Sequence, residues 1–82
     1  MSPVPLSSLR PGIAGTVAAV LPPATAQDES LVRRLAEIGF LPGEAVRVMA
    51  RAPGAEPIAV RVGRSTFALR RFEAAFVQVE PR

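Results

Sequence analysis

The side chains of this sequence that could do acid–base chemistry are seven carboxylates, because the chain contains no His, Cys, Lys or Tyr. General acid–base and nucleophilic catalysis require a group that titrates near neutral pH beside a nucleophile. Asp28 and Glu29 are adjacent carboxylates, but they fall at the start of a predicted helix, where they serve as a cap and as partners of the helix dipole. We therefore expect no catalytic residue and no enzymatic activity.

The sequence also lacks the side chains that most often bind metal ions and nucleotide cofactors. Imidazole and thiolate are the usual protein ligands of transition metals, and neither is available here. A phosphate-binding loop of the nucleotide hydrolases ends in Lys-Ser or Lys-Thr, which a chain without Lys cannot supply. The sequence thus predicts no cofactor and no firmly held metal ion.

All ten basic residues are arginines, and the formal net charge is +3. Guanidinium groups bind carboxylate and phosphate in a bidentate manner, which would suit an acidic protein partner or a nucleic acid. The alternative is a high-GC coding bias, which also produces chains rich in Ala, Arg and Pro. The arginines are spread along the chain and form no run, so composition alone favours the coding bias.

The elements that must position these groups are mostly short strands. A Pro-rich arm over residues 1–11 is expected to lie on the body of the protein. The next segment, residues 15–21, predicts a first strand with Val17 and Val20 facing the core. The odd spacing of these two valines indicates a bulge.

One helix is predicted after the first strand, because Leu31, Leu35 and Ile38 recur at helical spacing. Thr25 and Asp28 compete for its N-cap position, and we favour Asp28. Gly39 supplies the left-handed residue that ends a helix, and Phe40 then falls where a Schellman motif packs a side chain back on Leu35.

The remaining segments alternate with a period of two, as half-buried strands do. Further strands are predicted over residues 44–51, 58–62 and 66–70, followed by one helical turn over 71–75 and a last strand that Pro81 ends. The residues expected to face the core are Val46, Val48, Ala50, Ile58, Val60, Val62, Phe67, Leu69, Val77 and Val79. This register leaves Phe76 pointing outward. We expect an all-β fold with one short inserted helix, a small antiparallel barrel of five to six strands that occupies residues 1–82 as a single domain.

No membrane insertion is expected. The longest apolar stretches fall well short of the roughly 20 residues that span a bilayer. The N-terminus has neither the basic nor the apolar region of a secretory signal. A cytoplasmic location is therefore expected.

The segment from Leu35 to Gly43, Leu-Ala-Glu-Ile-Gly-Phe-Leu-Pro-Gly, followed by Val46-Arg-Val48, resembles the signature of the FeoA family. The resemblance extends over nearly the whole chain, from Leu9, Gly12 and Gly15-Thr-Val17 to Glu73-Ala74. It departs from the family pattern in two loops, at Gly54 and over residues 22–29, where insertions are tolerated.

The resemblance implies an SH3-like barrel that serves as an accessory or regulatory protein of ferrous iron uptake. Its partner would be FeoB, the membrane ferrous iron transporter with a cytosolic G-protein region, which would recruit the chain to the inner face of the membrane. Two alternatives remain. One is the FeoA-like domain of a metal-dependent transcriptional regulator, and the other is a basic barrel that binds nucleic acid. Nucleic acid is the less favoured partner, because such barrels stack bases on aromatic residues and Phe76 is the one aromatic expected outside.

Two surfaces are candidates for partner binding. The first surrounds the helix end and its turn, where an apolar patch rimmed by arginine would suit docking, and comprises Arg33, Arg34, Phe40, Leu41 and Pro42. The alternative role of Phe40 and Leu41 is to cap the barrel. The second surface is the outward strand face with Met49 and Phe76, which would also serve for self-association into a homo-oligomer.

Overall fold

The strands of this protein follow the alternating apolar pattern of its sequence. The structure is a computed structural model that describes residues 2–82, with the backbone alone described at Ala55. The strands are β1 (Val4–Pro5), β2 (Ala14–Val20), β3 (Ala45–Arg51), β4 (Ile58–Val62), β5 (Ser65–Leu69) and β6 (Val77–Pro81), and the helices are α1 (Ala26–Glu37) and α2 (Arg71–Ala74). Across the part of the chain so described, no helix has the length and apolar character needed to cross a membrane.

The strands form one antiparallel sheet in the order β1-β6-β2-β3-β4-β5. Helix α1 is inserted between β2 and β3, a loop with a short 3-10 helix (Pro53–Ala55) joins β3 to β4, and Gly63 and Arg64 form the tight turn between β4 and β5. This arrangement confirms the prediction of an all-β antiparallel fold with one main helix. The N-terminal arm contributes more than predicted, because its residues Val4 and Pro5 pair with β6 as a sixth strand.

The arm is fixed to the sheet by apolar burial and by hydrogen bonds. Leu6 and Leu9 are buried in the core. The Arg51 guanidinium donates hydrogen bonds from Nη2 to the carbonyl oxygens of Ser7 and Leu9. Arg51 therefore has a structural role, since it joins the end of β3 to the arm.

The core consists of strand residues that the alternating pattern selects, the two leucines of the arm, and residues of the helices and of the turn after α1. Its buried members are Leu6, Leu9, Val17, Leu35, Phe40, Val46, Val48, Ile58, Val60, Val62, Leu69, Ala74, Val77 and Val79. The bulge predicted in β2 is present and lies between Val17 and Ala19. A second bulge, between Val48 and Ala50, was not predicted, and it leaves Ala50 exposed instead of in the core.

Helix α1 begins one turn earlier than predicted. Thr25 is the N-cap, and its Oγ1 accepts a hydrogen bond of 3.1 Å from the backbone N–H of Asp28. The preference for Asp28 as the cap was therefore wrong. The Asp28 carboxylate instead accepts the N–H of Ala24 and lies in the first turn, where a negative charge favours the helix dipole.

Helix α1 ends in the Schellman motif that the sequence predicts. The N–H of Phe40 donates to the carbonyl oxygen of Leu35 at 2.9 Å, and the N–H of Gly39 donates to that of Ala36 at 3.1 Å. Gly39 has a φ of 117°, in the region that favours glycine. The motif turns the chain so that Phe40 enters the core, where its side chain is fully buried.

Candidate functional site

The structure separates the residues that the sequence predicts at the helix end. Arg33 and Arg34 are exposed on α1, and Leu41 and Pro42 are exposed in the turn before β3, with Leu41 47% exposed. Phe40 is fully buried, so its inclusion in an exposed patch was wrong. The alternative interpretation, in which this aromatic ring closes the barrel, is the one that its burial supports.

The second predicted surface is also divided. Met49 is 45% exposed on β3. Phe76 is half-buried and packs against the core, so the expectation that it points outward was wrong. The hydrogen bond from the N–H of Leu21 to the Phe76 carbonyl oxygen, at 2.8 Å, holds this residue beside the end of β2.

The most exposed aromatic side chain is one that the sequence interpretation did not select. Phe72 lies on α2 and is 57% exposed. Its neighbours Glu73 and Ala74 are buried, and a residue two positions before Ala74 faces roughly the opposite side of a helix. The exposure of Phe72 could therefore have been inferred from the predicted helical turn if Ala74 had been assigned to the core.

Three hollows adjoin Phe72. One, of about 530 Å³, also reaches Glu56 and Arg71. A second, of about 480 Å³, reaches Pro57, Ala68, Arg34 and Arg70, and a third, of about 340 Å³, runs to Gln27, Ser30 and Leu31 of α1. We call the group of Phe72, Arg34, Pro57, Arg70 and Arg71 the Phe72 surface. It places one exposed aromatic ring among arginines and open depressions.

The carboxylates at the Phe72 surface are engaged by groups of the protein itself. Arg34 Nη2 and Glu73 Oε2 form an ion pair at 2.9 Å that joins α1 to α2. Glu73 Oε1 accepts the backbone N–H of Arg70 at 2.8 Å, and Glu56 Oε2 accepts that of Arg71 at 2.7 Å. These contacts fix the one-turn helix and hold Phe72 in its exposed position.

We next consider whether the side chains could coordinate a metal ion. No group of three or more His, Cys, Asp or Glu residues comes close enough together to hold an ion, over the residues that the structure covers. What the geometry offers is a contact surface, with an aromatic ring and guanidinium groups as its binding elements.

Comparison with known families decides the family. The family model described as the FeoA domain matches residues 4–81. The chain belongs to the FeoA family. FeoA proteins are small, non-catalytic accessory proteins of ferrous iron transport with an SH3-like fold. The resemblance seen in the sequence is therefore confirmed, as is the expectation that the chain is not an enzyme.

Solved structures show the same fold. Stenotrophomonas maltophilia FeoA, described as an SH3 domain protein complexed with zinc, is 42% identical with a TM-score of 0.81, over 98% of this chain and 89% of that one. A FeoA-like protein from Clostridium acetobutylicum is similar in fold alone, at 22% identity and a TM-score of 0.85, over 98% and 87% of the two chains.

A longer protein contains the same fold as one of its parts. In a manganese-dependent transcriptional repressor, 28% identical with a TM-score of 0.81, the match covers 98% of this chain but 37% of that one. Among curated proteins, none matches this sequence. The FeoA fold thus occurs both in chains of similar length and within larger regulators.

Proposed function

We propose that this FeoA-family protein is a cytosolic accessory protein that regulates ferrous iron uptake by binding the cytosolic G-protein region of a FeoB-type transporter. The observation that carries the proposal is Phe72, a large aromatic side chain exposed at the meeting point of three hollows. The S. maltophilia relative has been proposed to act as a bacterial ferrous iron transport activating factor.

An exposed aromatic ring beside arginines has the composition of a protein interface. Aromatic residues and Arg are enriched at interface centres and among the residues that contribute most of the binding energy. Burying a Phe side chain is worth about 1.5–3 kcal/mol, and Phe72 keeps most of that surface in water in the free chain. Partner binding would cover it.

The surface is also preorganised, which reduces the entropy lost on binding. Helix α2 is held by the backbone hydrogen bonds to Glu73 and Glu56 and by the ion pair with Arg34. Pro57 adds a rigid edge to one hollow. The backbone of α2 that carries the Phe72 ring is therefore already fixed before a partner binds.

Binding between the purified chain and the purified cytosolic region of the transporter tests the proposal, by isothermal titration calorimetry at moderate salt. We expect saturable binding that Phe72→Ala weakens at least about tenfold, because truncation of a central aromatic side chain commonly costs more than 1.4 kcal/mol. Met49→Ala is the matched control, since Met49 is an exposed apolar residue of another element, and it should change the affinity less than about twofold.

The same titration distinguishes the competing surfaces. Leu41→Ala tests the turn after α1, and Met49→Ala tests the outward face of β3. If either variant abolishes binding while Phe72→Ala does not, the docking surface is wrongly placed. If the wild-type chain does not bind the transporter region at all, with or without guanine nucleotide, the proposed partner is wrong.

A further inference from the structure

Three arginines that are distant in the sequence lie in one row across the sheet. Ala14 pairs with Arg47, and Arg47 pairs with Arg61 on the next strand. On the other side, the N–H of Arg82 donates to the Ala14 carbonyl oxygen at 3.0 Å. Directly opposed residues share a face of a sheet, so these side chains project from the same face. We call Arg47, Arg61 and Arg82 the arginine row.

The row lines a hollow of about 180 Å³. Its other lining residues include Ala14, Ala45 and Gly63, which are too small to fill the space between the guanidinium groups. Ala14 lies between Arg47 and Arg82 in the row and leaves a gap there. The sequence thus places long cationic side chains beside very small residues, an arrangement that keeps the hollow open.

Over the residues that the structure describes, no carboxylate forms an ion pair with the row. The ion pair found within residues 2–82 joins Arg34 to Glu73, on other elements. The three guanidiniums instead donate to neutral oxygens, Arg47 to the Gly12 carbonyl at 3.3 Å and Arg61 to the Gly63 carbonyl at 3.5 Å. Since a guanidinium carries five N–H donors, most of the donors in the row remain available for a ligand.

Arg82 and its neighbours follow the same pattern. Its Nη2 donates to Thr16 Oγ1 at 3.0 Å. The acidic residue closest in register is Glu80, which pairs with Thr16 two positions along the strand, on the same face as Arg82, but forms no ion pair with the row. Arg47 and Arg61 face each other directly, and like charges in that position destabilise a sheet. The row therefore carries a cost in stability that a bound anion would remove.

We propose that the arginine row is a binding site for a phosphate group, either inorganic phosphate or a phosphate monoester. Neighbouring strands are about 4.8 Å apart, so the guanidiniums of Arg47 and Arg61 can contact one tetrahedral anion together. A phosphate group carries a charge of about −1.5 to −2 near neutral pH and offers several strong acceptors, which matches paired guanidinium forks.

A nucleic acid strand is a poorer occupant of this hollow. Proteins that bind single strands combine basic groups with aromatic rings on which bases stack. None of the residues that line the hollow is aromatic. Phe72, the exposed aromatic, belongs to hollows formed by other residues. The site recognises a single charged group more readily than a series of bases.

The experiment is a titration of the ¹⁵N-labelled chain, followed through the Arg Nε–Hε resonances, with inorganic phosphate and with glycerol 3-phosphate. Sodium chloride keeps the ionic strength constant. We expect saturable shifts of the Arg47 and Arg61 resonances, with a Kd of about 1 mM. Arg61→Gln and Arg47→Gln should each weaken binding about tenfold, and the control Arg33→Gln, an exposed arginine of α1, should change it less than twofold.

The two ligands distinguish the sources of the phosphate group. Equal affinity for both indicates a site for the phosphate group itself, and tighter binding of glycerol 3-phosphate indicates a site for an ester, and either result supports the proposal. Shifts that chloride alone reproduces, or affinities unchanged in Arg61→Gln and Arg47→Gln, would overturn it. Binding of a ten-nucleotide RNA more than tenfold tighter than either phosphate would replace it with a nucleic-acid surface. The backbone spectrum of each variant verifies its fold.

Discussion

The Phe72 surface and the arginine row use the same cationic residue type in opposite ways. At the Phe72 surface, Arg34 is paired with Glu73, and the carboxylates of Glu73 and Glu56 accept backbone N–H groups at the start of α2, so these contacts help to fix an aromatic ring. In the arginine row, Arg47 and Arg61 face each other, and neither forms an ion pair with a carboxylate of the described part of the chain. The Phe72 surface therefore combines one paired arginine with a fixed aromatic ring, whereas the row presents facing guanidinium charges to an anion.

The composition of the chain does not reveal which role each arginine has. The arginine content of the chain can be assigned to coding bias when the residues are considered one by one. In the fold, however, one arginine fixes the arm, another links two helices, and three meet across four strands. Which of these roles an arginine has depends on register and on the nearest carboxylate, and neither is visible in a residue count.

The Phe72 surface and the arginine row are both supported by the same core. Phe40→Ala, which removes part of that core, should have the largest effect of the variants proposed here. Removal of this fully buried ring should lower the free energy of unfolding by about 3–5 kcal/mol, through lost burial and a residual cavity. Urea denaturation measures the change. The matched control is Leu41→Ala, at an exposed neighbour, which should cost less than about 1 kcal/mol; similar losses for both variants would contradict the placement of Phe40.

Gly15→Ala should damage the arginine row more than the Phe72 surface. A Cβ at this position of β2 would meet the Val79 side chain and would lie 2.8 Å from the Glu80 carbonyl oxygen, so β2 and β6 would have to move apart. We expect a loss of about 1–3 kcal/mol, as for other overpacked sites, and weaker phosphate binding. Thermal unfolding and the phosphate titration measure the two effects.

The control for that variant is Ala19→Ser, at an exposed position of the same strand. It should leave the free energy of unfolding within about 0.5 kcal/mol of the wild type. A Gly15→Ala protein that keeps wild-type stability and phosphate affinity would show that the two strands adjust without cost to the row.

Glu73→Gln should make the Phe72 surface resemble the arginine row. The amide oxygen can still accept the Arg70 N–H, but the ion pair with Arg34 is lost, at a cost of about 1 kcal/mol because Arg34 is partly exposed to solvent. The released guanidinium should give the surface a new, weak phosphate response in the Arg34 Nε–Hε resonance. Glu37→Gln, at an exposed position of the same helix, should produce neither effect.

Arg61→Gln should have the smallest effect and the opposite sign. Removal of one of two facing guanidiniums should raise the free energy of unfolding by about 0.2–0.5 kcal/mol at low salt. The gain should shrink as salt screens the repulsion in the wild type. Denaturation at two ionic strengths measures it, and a variant that is less stable than the wild type at low salt would show that the row is not repulsive.

Much of this fold could be predicted from the sequence, because local rules determine it. The spacing of Gly39 and Phe40 after an amphipathic segment specifies the Schellman motif, and the alternation of Ile58, Val60 and Val62 specifies a strand and its buried face. Ala50 fails the same alternation, since a bulge in β3 depends on its pairing with β4.

The candidate site was harder to predict, because tertiary contacts determine it. Phe76 was placed outside by local pattern, and Phe40 was included in an exposed patch although the Schellman motif directed it inward; the structure buries Phe40 in the core and packs Phe76 against it. Phe72 was overlooked because the exposure of a one-turn helix depends on which side faces the sheet. The arginine row was invisible for the same reason, since it exists only in the cross-strand register of Arg47 with Arg61.

The most direct test of the account is a map of the contact surface on the ¹⁵N-labelled chain as the cytosolic region of the transporter is added. The account predicts that amide signals of Arg71–Ala74, together with those of Arg34 and Ala68 beside them, lose intensity or shift first, while those of Met49 and of the turn at Leu41 do not change. Changes confined to that turn or to β3, or none at saturating partner, would contradict it.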